Sequence, residues 1–257
     1  MKYHIIFIPF LLCINNLIPN EKIAYVKSKY EHNLFGQSVL FYPASKPKRL
    51  LISFCAAGLG PHYSHWSMFW NDNEYWDETA YLFLYDATTT WYLGSHTEPL
   101  IENYCAIIKH FVYISSLCPD QVFTFGGSMG GYGAAFYAVK LGLKGTIIYN
   151  AQVDKESAFD NFPNLCNLEN QWQDLHQLFE KHDKIPLVSI IFHSCIPDTT
   201  AAYKLLEVLK KKNTLTIMRK LHLTEHTGIP LSKKTIEQDI DFMENQIICP
   251  KTGEVTI

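Results

Sequence analysis

The sequence predicts an α/β protein with a mainly parallel sheet covered by helices on both faces. Three observations carry that class. Short β-branched or aromatic runs alternate with longer stretches whose apolar residues fall at helical spacing. The run 187–192, apolar at every position but Ser189, reads as a parallel strand buried on both faces. A glycine cluster around Ser128 stands between a strand-like run and a small-residue helix, where a strand turns sharply into a helix.

In chain order, residues 1–34 read as an extension. Lys2 precedes an apolar run from Ile5 to Ile14 that is interrupted by Pro9 and too short to span a bilayer as a helix. No small residues spaced for cleavage follow, so an apolar strand or a segment packed on the domain is preferred to a signal or membrane-associating segment. Residues 38–42 and 49–55 read as strands separated by the turn-rich Pro43-Ala44-Ser45-Lys46-Pro47, and 81–85 as a third. Leu100, Ile101, Tyr104, Ile107, Ile108 and Phe111 give 98–117 a helical period. Then come a strand at 121–125, a helix at 129–141, a strand at 145–149 and a helix around 171–180. The strand 187–192, a helix at 199–211, a strand at 215–221 and an amphipathic helix at 233–247 close the chain. An antiparallel start followed by right-handed βαβ units is the order of the α/β-hydrolase fold, here a single domain over 35–257.

Composition narrows the function. With 47% hydrophobic residues and a net charge of −3, the 257-residue chain can build one full core and is not disordered. Lys plus Arg total 22 against 25 Asp plus Glu, so there is no overall basic field for nucleic acid. The seven cysteines include no close pair, which suits neither a metal site nor a disulfide framework, and predicts reduced thiols in a cytoplasmic setting.

The chemistry centres on Gly126-Gly127-Ser128-Met129-Gly130, a G-x-S-x-G elbow in the required strand-to-helix context. Such a turn is strained, and Gly126 and Gly130 let two backbones pass closely. A serine hydroxyl needs a general base, and that base needs an orienting acid. In this fold the acid and then the base follow the serine, on loops after late strands. Of eleven histidines only His222 and His226 follow the last strand; His226, on the loop before the closing helix, is preferred by position. For the acid, Asp198 follows the strand 187–192, where it also suits the N-cap of a helix starting at Thr199. Asp154 is the runner-up, and Glu225 lies too close to His226 in sequence to orient it easily.

Two backbone N–H groups should form the oxyanion hole, one from Met129 and one from Ala56 or Ala57 in the small-residue loop after 49–55. The aromatic stretch 61–70, with Trp76, Trp91 and Tyr92, offers two readings: stacking on sugar rings or a nucleotide, or anchoring loops to the core.

Over Phe35 to Ile247 the chain resembles bacterial serine-dependent capsule and surface-polysaccharide O-acetyltransferases of the α/β-hydrolase fold. The likeness lies in Phe54-Cys55-Ala56-Ala57, Gly127-Ser128-Met129-Gly130-Gly131, Tyr149-Asn150-Ala151-Gln152, the Asp198 turn, and the segment 216–221 leading to His226. The resemblance implies that Ser128 takes an acetyl group from acetyl-CoA as co-substrate. His226 would then be the base, Asp198 its partner and a glycan hydroxyl the final acceptor, with no metal. The alternatives are a carboxylesterase or deacetylase using the same triad with water, and a non-catalytic accessory module on the same fold.

Overall fold

The computed structural model describes residues 20–58, 63–95, 98–161, 172–226 and 231–246. The apolar run 5–14, residues 59–62, Thr227, Gly228, Cys13, Cys166 and Cys249 lie outside the described residues.

The described residues form an eight-stranded sheet. Its strands are β1 (Glu31–Leu34), β2 (Gln37–Tyr42), β3 (Arg49–Phe54), β4 (Thr79–Leu84), β5 (Val122–Gly127), β6 (Gly145–Tyr149), β7 (Leu187–His193) and β8 (Thr216–Leu221). Their order across the sheet is β1-β2-β4-β3-β5-β6-β7-β8. β2 pairs antiparallel with both β1 and β4, and every other pairing is parallel, so β2 alone runs against the rest. The helices are α1 (Asn20–Tyr30), α2 (Ile101–Ile114), α3 (Met129–Lys140), α4 (Lys155–Asn161), α5 (Leu175–Lys181), α6 (Ile196–Lys211) and α7 (Lys233–Glu244).

The period of two along a strand divides the core. On β3, Leu50, Ile52 and Phe54 enter one cluster, with α2, α3, α5 and α6 packed over it. Leu51 and Cys55 enter a second, which Val26 and Tyr30 of α1 and Ile236, Ile240 and Met243 of α7 cover. Burying each such Leu, Ile or Phe side chain contributes roughly 1.5–3 kcal/mol. The aromatic loops take the anchoring role: Phe69, Trp76, Trp91 and Tyr92 are all buried in these two clusters.

Several elements differ from the sequence expectation. α1 and β1 occupy residues 20–34, and β1 pairs with β2 along its whole length, from Glu31 opposite Leu40 to Leu34 opposite Gln37. α2 spans 101–114 rather than 98–117. α6 begins at Ile196 rather than Thr199, with Cys195 at its N-cap and Pro197 in its first turn. Proline supplies a helical φ and lacks an N–H that the first turn would leave unpaired, so it starts the helix early. Asp198 consequently sits inside the first turn and is not the cap.

Parallel strands end on a common edge. Phe54 lies opposite Gly126, Gly127 opposite Tyr149, Tyr149 opposite Ile191 and His193 opposite Leu221. The loops after β3, β5, β6, β7 and β8 therefore meet at one place.

Candidate active site

β5 runs without exposed residues into Ser128, whose φ of 53° and ψ of −123° place a non-glycine residue in a strained turn. Such a conformation costs on the order of 1–3 kcal/mol and persists only where its surroundings hold it. Ser128 N–H donates to Tyr149 O at 2.9 Å, and Ser128 O accepts from Tyr132 N at 3.1 Å. Gly126 and Gly130 make the close approach that the sequence requires of them. A Cβ on Gly126 would lie 2.3 Å from Gly130 O, and one on Gly130 would lie 2.2 Å from Phe54 O.

The structure brings together Ser128, His226 and Asp198. Ser128 Oγ lies 3.0 Å from His226 Nε2. His226 Nδ1 lies 2.7 Å from Asp198 Oδ1. Asp198 is only 2% exposed, and its second oxygen accepts from Cys195 Sγ at 2.9 Å. Burial and then Asp198 push the Cys195 thiol up to about 11, so near neutral pH it keeps the hydrogen it donates. A carboxylate only accepts, so His226 Nδ1 carries the hydrogen and Nε2 faces Ser128 with its lone pair. That is the tautomer a general base needs.

The His226 loop is fixed from below. His193, fully buried at the end of β7, donates from Nδ1 to Glu225 O at 2.7 Å. Ser194 N donates to Leu223 O at 2.8 Å, and Ser194 Oγ to Leu221 O at 2.9 Å. His193 N in turn donates to Asn150 Oδ1 at 3.0 Å, tying the loops after β6 and β7.

The other sequence candidates fall elsewhere. His222 is exposed, and Ser128 Oγ bonds to His226 and Gln152 instead. Glu225 enters through its carbonyl alone, as the acceptor from His193. Asp154 is buried, but its carboxylate takes a hydrogen bond from Lys204 and another from Ser157 N at 2.8 Å. Burial pushes the Asp154 carboxyl up, but these bonds outweigh it and hold the group below its ordinary value. A carboxyl lowered by folding adds stability above its unfolded range, and that stability is lost as pH falls. Lys204 is 39% exposed, so solvent screens the pair. Asp154→Asn should therefore cost only about 1 kcal/mol near neutral pH. In thermal melts the deficit should shrink on acidification below ~pH 4, and the reaction rate at Ser128 should stay unchanged.

Met129 is the first residue of α3, where a backbone N–H has no intrahelical acceptor. Ala56 and Ala57 follow β3, whose last carbonyls lie against Gly130, so they share the edge with Met129. The loop's first peptide is held by Tyr92, which donates from its hydroxyl to Cys55 O at 2.8 Å.

Two residues that sequence reasoning did not place beside the nucleophile, Gln152 and Trp91, continue the hydrogen bonds from Ser128. Gln152, 1% exposed, donates from Nε2 to Ser128 Oγ at 3.2 Å. Its Oε1 accepts from Trp91 Nε1 at 3.1 Å. Gln152 stood in the Tyr149-Asn150-Ala151-Gln152 stretch, but nothing in its spacing marked contact with the serine.

Among the described residues, no helix is long and apolar enough to cross a membrane. No protein-family model and no curated protein sequence matches the chain. Solved structures do. The capsule O-acetyltransferase of Neisseria meningitidis serogroup A aligns at 15% identity and a TM-score of 0.62, over 84% of this chain and 94% of that one. A mutant of that protein in complex with CoA aligns at 13% identity and a TM-score of 0.62, over 83% and 94% of the two chains. The S-formylglutathione hydrolase from Staphylococcus aureus aligns at 15% identity and a TM-score of 0.63, over 84% and 97%. These likenesses and the sheet order agree: the chain has the α/β-hydrolase fold.

Proposed function

We propose that the chain is a serine acyltransferase that moves an acetyl group from acetyl-CoA to a hydroxyl of a bacterial surface or capsular polysaccharide, through an acetyl-Ser128 intermediate. The observation that carries acyl transfer is the continuous relay from Ser128 Oγ through His226 to Asp198 at the elbow. In the first half-reaction, Ser128 Oγ attacks the thioester carbonyl carbon as its proton passes to His226 Nε2. The oxyanion meets the N–H groups of Met129 and of Ala56 or Ala57. The tetrahedral intermediate then expels the thiol, which takes the proton from His226. In the second half, a sugar hydroxyl gives its proton to His226 and attacks the acetyl carbon. The bond to Oγ breaks, and Oγ recovers a proton from His226. The choice of donor and acceptor rests on the motif resemblance and on the alignment with a capsule O-acetyltransferase.

A second reading replaces the sugar hydroxyl by water, making the chain an esterase or deacetylase with the same triad. The alignment with a thioester-related hydrolase, as extensive as that with the acetyltransferase, favours it. Mass spectrometry after incubation with acetyl-CoA separates the readings. Acetylation of Ser128, discharged onto added polysaccharide faster than onto water, is the expected result. No acetyl-Ser128 from acetyl-CoA, with rapid turnover of an aryl acetate, would give the hydrolase reading. No covalent product from either, with the biological role intact in Ser128→Ala, would leave an accessory module.

A further inference from the structure

The hydrogen bonds of Ser128 Oγ with Gln152 and His226 take their direction from the chemistry of the groups beyond them. An indole N–H only donates, so the Gln152 atom 3.1 Å from Trp91 Nε1 is the amide oxygen. The Gln152 nitrogen therefore faces the serine, 3.2 Å from Oγ, with Asn150 O 3.4 Å away as acceptor for its second hydrogen. Ser128 Oγ accepts from Gln152 and sends its own hydrogen to His226 Nε2. One direction of donation thus runs from Trp91 through Gln152, Ser128 and His226 to Asp198.

Trp91 is itself held rigidly. The Asp86 carboxylate, fully buried, accepts from the backbone N–H groups of Thr88 at 3.0 Å, Thr90 at 2.7 Å and Tyr92 at 2.8 Å. That carboxylate shapes the loop after β4, in which Trp91 and Tyr92 both take positive φ, 55° and 65°. Trp91 is wholly buried, and its ring packs edge-on against Trp172 at 5.9 Å.

We propose that Gln152 is a further catalytic residue, a hydrogen-bond donor to the nucleophile oxygen, with Trp91 as its positioning residue. The proposal rests on Ser128 being the nucleophile. Its consequence differs between the two half-reactions. A donor on Oγ draws electron density from the attacking oxygen, so it contributes little to formation of the ester. When the ester is discharged, the C–Oγ bond breaks, Oγ gains negative charge before His226 returns the proton, and the Gln152 N–H strengthens onto that charge.

The test follows the acetyl-enzyme formed from p-nitrophenyl acetate, by stopped-flow release of p-nitrophenol and by mass spectrometry of the quenched protein. Gln152→Ala should slow discharge by roughly ten- to hundredfold, the worth of one hydrogen bond to a charged group. It should slow formation far less, so acetyl-Ser128 accumulates. Gln152→Met, close in length but without an N–H, removes the donor and leaves the serine hydrogen directed to His226. It should show the same asymmetry and covers the case in which the alanine variant does not fold. Trp91→Phe, which removes the N–H that orients the amide, should shift the ratio of the two rates in the same direction. Equal loss in both steps, or no change in either, in the folded Gln152 variants would overturn the role of Gln152. A wild-type chain that a fluorophosphonate does not label at Ser128 would instead overturn the nucleophile assignment, and this role with it.

Discussion

His226→Ala should lower kcat for an aryl acetate by on the order of 10⁴- to 10⁶-fold, because without its base the serine hydroxyl is too weak an acid to attack. His222→Ala should leave kcat unchanged and alter stability by no more than about 0.5 kcal/mol, since that ring is exposed and outside the relay. The pair discriminates because the two histidines sit on the same short loop, so general damage to the loop would affect both. Asp198→Asn is the sharper companion. Its amide can present N–H to His226 Nδ1, which turns the imidazole to the tautomer with hydrogen on Nε2, facing Ser128 where a lone pair is needed. A loss of about 10⁴-fold in kcat is expected from that inversion alone. Steady-state kinetics on the three variants, with melting curves to show that each is folded, decides the assignment. Full activity in His226→Ala would end it.

How much of this was readable in the chain follows from where each signal resides. The elbow was legible because its demands are local. Two glycines four apart, a serine between them, a buried strand before and small residues after are all sequence-adjacent. β7 was legible because burial on both faces leaves 187–192 apolar at every position but Ser189. Asp198 and His226 followed from the order of loops along one edge of a parallel sheet.

What escaped depends on contacts rather than on adjacency. α1 directs only Val26 and Tyr30 into the core, one turn apart, and carries Lys27 and Lys29 beside them, so its apolar stripe is too narrow to register as a period. β1 has no alternation to read, because as an edge strand it is exposed along most of its length. Gln152 is set by Trp91, 61 residues earlier in the chain, and no local pattern reports a side-chain bond of that span. Asp198 was placed one role too many. The helix starts at Ile196, so Cys195 holds the N-cap position and Asp198 lies within the first turn, its carboxylate turned to His226 and Cys195.

The fold and the site are coupled most tightly at Gly130. Gly130→Ala should destabilise the protein by on the order of 3 kcal/mol, lowering Tm by roughly 6–12 °C, and should also depress activity in whatever fraction remains folded. The reason lies in what the new methyl would meet: Phe54 O at 2.2 Å, Phe54 C at 2.8 Å and Cys55 O at 2.8 Å, all of them backbone. No rotamer change can clear backbone atoms, so α3 must retreat from the end of β3. That retreat separates Met129 from Ala56 and Ala57, the groups proposed to bind the oxyanion. Gly131→Ala makes the contrast, because its nearest obstacle is the Ala151 side-chain methyl at 2.8 Å, which a second substitution can remove. Ala151→Gly should restore part of the stability lost in Gly131→Ala and none of that lost in Gly130→Ala. Thermal melts of the four variants measure this, and rescue of Gly130→Ala by Ala151→Gly would show that the helix, rather than the strand end, carries the strain.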